Sequence, residues 1–123
     1  MIILIAALAL GSAPMNDAAV VRHTSHEYQR CSRVVMTEME QISCILPELQ
    51  RQDELLRKAT DDTIRRLPAR KKATFRRLQR NWSRHRTEKC QRDSKRATNI
   101  SVKQTQCMLF ETVRRTEWLK KYR

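Results

Sequence analysis

A single glycine and three prolines in 123 residues leave little material for tight turns. A sheet-rich fold uses such residues at every hairpin, so their scarcity excludes one and favours helices. The lone glycine also excludes a glycine-rich phosphate loop of the usual form. Aromatic residues are only 5% of the chain. The core must therefore come from Leu, Ile, Val and Met with the two Trp, and no specific nucleic-acid motif or aromatic-interleaved basic patch is present. No apolar run reaches the roughly 20 residues of a transmembrane span. The four cysteines include no C-x-x-C pair, and His23 and His26 lie in a polar lead-in, which does not suit zinc. His23-Thr24-Ser25-His26-Glu27 has the wrong order for a helical H-E-x-x-H site. No Ser-His-acid set stands out either. The chain reads as a non-enzyme, with no catalytic residue, no cofactor and no metal.

What the chain has in excess is positive charge: 26 Lys and Arg against 13 Asp and Glu, a net +13. Such a balance keeps a protein soluble and draws it to anionic glycan, lipid or nucleic acid without choosing among them. Residues Ile2 to Leu10 form a short apolar run followed by Gly11, Ser12 and Ala13, which suits a secretory leader. No Lys or Arg precedes the run, which is atypical for one. Four cysteines, Cys31, Cys44, Cys90 and Cys107, in an exported chain read as two disulfides with three pairings open. The local pairing, Cys31–Cys44 with Cys90–Cys107, is expected because each bridge then joins adjacent elements.

Along the chain, residues 12–28 show no sustained period and read as a linker. The expected division is a leader and start of linker over 1–19, a linker over 20–30 and a helical domain over 31–123. A first helix is predicted from Ser32, a capping residue, with Val35, Met39 and Ile42 on its apolar side, ending near Cys44 or Pro47. Pro47 is placed to open a second helix, with Leu49, Leu56, Ile64 and Leu67 inward. Pro68 opens a third, running through Phe75, Leu78 and Trp82 to about Cys90. A polar connection over 93–99 leads to a fourth helix, about Ser101 to Tyr122, with Val102, Leu109, Val113 and Thr116 on one stripe. The fold class is all-α, a small disulfide-stapled bundle of three to four helices.

The third helix concentrates both signals. Between Pro68 and Arg92 it carries ten Lys and Arg against one carboxylate, Glu88. Arg76, Arg80 and Arg84 recur every four residues on one exposed stripe and form the candidate polyanion face. On another stripe stand Trp82, Arg86 and Cys90. Trp82 is expected to fill the core, and Arg86 to pair with a carboxylate of another helix, Asp53 or Glu54.

The order of these features resembles the LprI-type lysozyme-inhibitor domain, a family of small exported bacterial proteins. Its pattern is a Cys, a short helix, a second Cys, an acidic-Leu helix, a Pro-started helix ending in A-Q-x-x-W-x-x-x-R-D-x-x-C, and a last helix with a fourth Cys. The matching residues are Cys31, Cys44, Asp53-Glu54-Leu55, Leu67-Pro68, Gln79, Trp82, Arg86, Cys90 and Cys107. Thr87 stands where the family's Asp follows the Arg, Ala59 where an aromatic is common, and the lipoprotein Cys of some members is absent. The resemblance implies a periplasmic or secreted protein that binds a lysozyme or other wall-cleaving enzyme. Gln79, Trp82 and Arg86 are then family-pattern residues with a structural role. The charge alone favours a different function, a cationic envelope protein that binds polyanionic envelope components.

Overall fold

The computed structural model describes residues 15–35, 37–92 and 101–123. The expected leader up to Pro14 and the polar connection over 93–99 lie outside the described residues. Within them the chain is all-helical, with no strand: α1 (Asp17–Arg22), α2 (His26–Val34), α3 (Glu38–Arg66), α4 (Ala69–Arg92) and α5 (Val102–Lys121). Four of the five starts are capped by a polar side chain. Asn16, Ser25, Thr37 and Ser101 each accept from the backbone N–H three residues on, at Ala19, Tyr28, Glu40 and Gln104. Thr37 and Glu40 also bond to each other, closing the helix entry in the manner of a capping box.

The three long helices make an up-down-up bundle. α3 and α5 run parallel. Ile45 packs in one cluster with Leu109, Arg86 links Asp53 to Thr112, and Thr63 donates to the carbonyl of Leu119. α4 returns antiparallel alongside the pair, its Gln79 bonded to Thr60 and Arg115 and its Lys89 to Glu111. Threonine shares the interior with aliphatic side chains. Thr63, Thr105, Thr112 and Thr116 are all buried, and each hydroxyl bonds the carbonyl four residues back. Back-bonding satisfies the polar atom and turns a small branched side chain toward the neighbouring helix. Leu109, Leu119, Val113 and Phe75 complete the interior.

The linker expected over 20–30 is instead the α1–α2 arm. Val20 is fully buried and Tyr28 nearly so, in one cluster with Cys44, Ile45, Leu109, Phe110 and Val113. The arm is short and polar outside, so its two isolated inward residues show no period long enough to be recognised. Ser32 caps nothing. It lies inside α2, where its hydroxyl donates to the Gln29 carbonyl. Pro47 does not start a helix but sits within α3. A proline inside a helix costs roughly 3 kcal/mol, and packing on both sides of it outweighs that cost. Cys44 is bonded to Cys31 of α2, with Cα atoms 5.8 Å apart, and Ile45 and Glu48 are buried. Met39, expected inward, is 80% exposed because the helix begins one turn before the packed region.

Glu48 ties the arm down. Its side chain is 3% exposed, yet it accepts from the Ser25 backbone N–H (3.0 Å), the Ser25 hydroxyl (2.6 Å) and Gln52 Nε2 (2.9 Å), with Arg51 beside it. Gln52 also donates to the His23 carbonyl. Burial pushes the Glu48 carboxyl up, but the Ser25 and Gln52 hydrogen bonds and the Arg51 cation outweigh burial and hold it below its ordinary value. A depressed folded-state pKa adds stability above the unfolded value, and that stability is lost as pH falls through the folded value. Glu48→Gln should therefore cost about 1–3 kcal/mol at neutral pH and flatten the acid limb of the melting temperature of the oxidised protein against pH. An acid limb identical to that of the unsubstituted protein would show that Glu48 does not carry it.

Candidate functional site

One face of α4 is turned to its neighbours. Phe75, Gln79, Trp82, Arg86 and Cys90 follow one another at steps of three and four, so they share a stripe. Opposite them stand Arg115 and Trp118 of α5 and its C-cap residue Tyr122. The two sets interleave into a ladder along the α4–α5 seam. The Arg86 guanidinium lies 4.9 Å from the Trp82 ring centre, Arg115 lies 5.4 Å from Trp82 and 3.9 Å from Trp118, and Tyr122 stacks at 4.9 Å on Trp118 and 5.3 Å on Phe75. A cation against the face of an indole is attracted by the ring quadrupole, more strongly as water is excluded.

Gln79 completes the set. Its carbonyl oxygen accepts from Arg115 Nε at 2.7 Å, and its amide donates to Thr60 of α3 at 3.3 Å. Among the described residues Arg115 pairs with no carboxylate. Burial pushes it down to about 10, with the Tyr122 phenol acting the other way. It therefore remains a cation at neutral pH, stabilised by two indoles and one amide oxygen. Arg86 donates to Thr112 at 2.7 Å and reaches Asp53 at 3.4 Å, while its Nε is buried without a partner. Of the two expected carboxylates Asp53 is the one engaged, and Glu54 pairs with Arg57. Trp82 is half-buried rather than in the core, because the residue facing it from α5 is Arg115 and not an aliphatic. Arg115 is the member that the sequence reading missed. Its only sequence signal is a position three residues before Trp118. At the far end Cys90 is bonded to Cys107 of α5, with Cα atoms 5.4 Å apart.

Arg76, Arg80 and Arg84 stand on the opposite side of α4 and are exposed. The structure thus separates the two cation sets of this helix, one glued to α5 and one facing out. A cleft of about 490 Å³ opens between α3 and α5 on the side away from α4, below the α1–α2 arm. Leu55, Lys58, Asp62, Glu117 and Lys120 line it, and His23 stands at its rim. His23 Nδ1 faces Glu117 at 3.3 Å. Among the described residues no serine, threonine or cysteine side chain bonds a histidine, and no group of three or more His, Cys, Asp or Glu is placed to hold a metal. No helix among them is long and apolar enough to cross a membrane.

A scan of family models matches the chain to the lysozyme inhibitor LprI family over residues 31–119. Searches of curated proteins and of solved structures return no match. The matched span takes in both disulfides and the whole ladder except Tyr122. A double-mutant cycle of Trp82→Leu and Arg86→Met, followed by urea unfolding, should give a coupling of about 1 kcal/mol, the scale of a partly buried cation–π pair. Strict additivity would mean the stack holds nothing together.

Proposed function

Since the chain belongs to the lysozyme inhibitor LprI family, we propose that it is an exported protein that binds a lysozyme or related muramidase and blocks its cleft. The family match over residues 31–119 carries this reading. Two disulfides support it, because such bonds form and persist in oxidising compartments. The stapled bundle also suits the task. A binder that holds its shape spends less of its binding energy on ordering itself.

Muramidases cleave with a pair of carboxyl groups set in a cleft. Exposed Arg side chains are the chemistry that would meet them, and this chain has many. Its own charge, +13, also sets a preference among targets. Two strongly basic proteins repel at long range and associate slowly, so a neutral or acidic muramidase is favoured over a strongly basic one. In a turbidity assay on wall suspensions, the oxidised protein should inhibit a neutral or acidic muramidase at near-stoichiometric ratio. It should inhibit a basic lysozyme less, and the gap should narrow as salt is raised. Lysis at the uninhibited rate across both enzyme classes, with no complex by calorimetry, would reject the reading.

Export carries a separate expectation. Asn16 caps α1, and Arg114 of α5 donates to the Met15 carbonyl at 2.9 Å and pairs with Asp17 at 2.7 Å. Leader cleavage that spares the fold therefore leaves Met15 and everything after it. The intact mass of the exported protein should place its first residue at Met15 or earlier. A first residue beyond Asp17 would show that the α1 cap and the Arg114 ties are dispensable.

A further inference from the structure

We propose that the outward ridge of α4 is a docking strip for a linear anionic glycan, held by Arg70, Arg76, Arg77, Arg80 and Arg84. From Arg70 to Arg84 the ridge spans about 21 Å at the rise of an α-helix. All five side chains are exposed. Among the described residues Arg70, Arg76, Arg77 and Arg80 make no hydrogen bond or ion pair, and Arg84 reaches only the Asn81 side chain at 3.3 Å.

Six carboxylates are engaged away from the ridge. Asp17 and Glu111 hold Arg114, Asp53 holds Arg86, Glu54 holds Arg57, Asp62 holds Arg65, and Glu117 meets His23 and Lys120. The one carboxylate of α4, Glu88, is exposed four residues beyond Arg84, past the C-terminal end of the ridge, and no carboxylate lies between Arg70 and Arg84. Like charges four apart on a helix repel, so this row weakens α4 rather than supporting it. An external row of anions would relieve that repulsion.

The residue type indicates the ligand chemistry. All five are Arg, whose planar fork matches sulfate, phosphate and carboxylate oxygens two at a time. The shape indicates a chain rather than a plane. The ridge is one convex helix face, and the large apolar side chain nearest to it, Leu78, is only 40% exposed on its flank. Helices that lie on bilayers instead bury a broad apolar face. No aromatic stands between the cations to stack unpaired bases. The two disulfides fit a compartment where the resident linear polyanions are envelope glycans. The strip does not rest on muramidase inhibition.

The probe is a heparin oligosaccharide, a sulfated linear glycan, titrated into the oxidised full chain by calorimetry at several salt concentrations. Arg76→Glu, Arg80→Glu and Arg84→Glu are combined in one variant. A control carries the same charge change off the ridge, at Arg30→Glu, Arg33→Glu and Lys121→Glu, three exposed positions. The ridge variant should bind at least roughly tenfold more weakly, with its log–log salt slope lower by about 3, one per lost contact. The control should stay within about threefold of the unsubstituted protein, its loss limited to the long-range field. Should the ridge variant fail to melt cooperatively, the triple change to Gln at the same positions takes its place, with the same ordering expected. Equal losses in ridge and control variants would overturn the proposal, since net charge alone would then do the binding. So would undiminished binding by a folded ridge variant. Tighter ridge-dependent binding of duplex DNA or of phosphatidylglycerol vesicles than of the glycan would overturn the assignment of ligand class.

Discussion

The parallel pairing of α3 with α5 is the constraint on which the rest of the molecule depends. Two parallel helices cannot be joined by a short turn, so the chain between them must return along their length, and α4 is that return. Every other element is attached to the pair rather than to a core of its own. α1 and α2 lie across it through Val20, Tyr28 and Glu48. Arg66 at the end of α3 donates to the carbonyls of Leu119 and Tyr122, and so closes the end of α5 at the same level. Threonines share this seam with Ile45, Leu109 and Leu119. The small size of a threonine seam limits the apolar area available. The two disulfides compensate by cross-linking α2 to α3 and α4 to α5.

Charge is sorted by helix face. Arg86, Arg114 and Arg115 point inward or into seams, where each is matched by a carboxylate, a hydroxyl, an amide or an indole. Of the arginines on the outer α4 face, only Arg84 has one of these among the described residues, the Asn81 amide oxygen. A buried cation must be compensated or it unfolds the protein. An exposed one is solvated and is tolerated without a partner. The same residue type therefore does two separate jobs on one helix, and only the position around the helix axis tells them apart.

That sorting explains how much could be read in advance. The helical class, the α4 and α5 spans, the inward stripe Leu109, Val113 and Thr116, and the Arg86–Asp53 link follow from period and spacing, and the structure has them. The α1–α2 arm was hidden because Val20 and Tyr28 are single anchors among polar residues, and no period builds up over such short helices. The unbroken α3 was hidden because a proline at position 47 is a local signal, whereas the packing that overrides it is tertiary. Glu48 and Gln52 carry no inward signal in the sequence. Their burial depends on the arm lying over them, which no local pattern encodes. Arg115 was hidden for the same reason. A cation enters a seam only if rings from another helix are there to receive it.

The family pattern itself turns inward. Gln79 and Trp82 serve Arg115, and Arg86 spans α3 and α5, so these residues describe how α4 is fastened and not what the protein touches. Membership then speaks first for the scaffold. A scaffold fastened by one face of α4 leaves the other face free of folding duties, because exposed substitutions away from caps and pairs usually change stability little. Whatever occupies that face can answer to a partner alone. Here five arginines stand on it between Arg70 and Arg84, repelling one another along the helix, with the one carboxylate of α4, Glu88, beyond their C-terminal end.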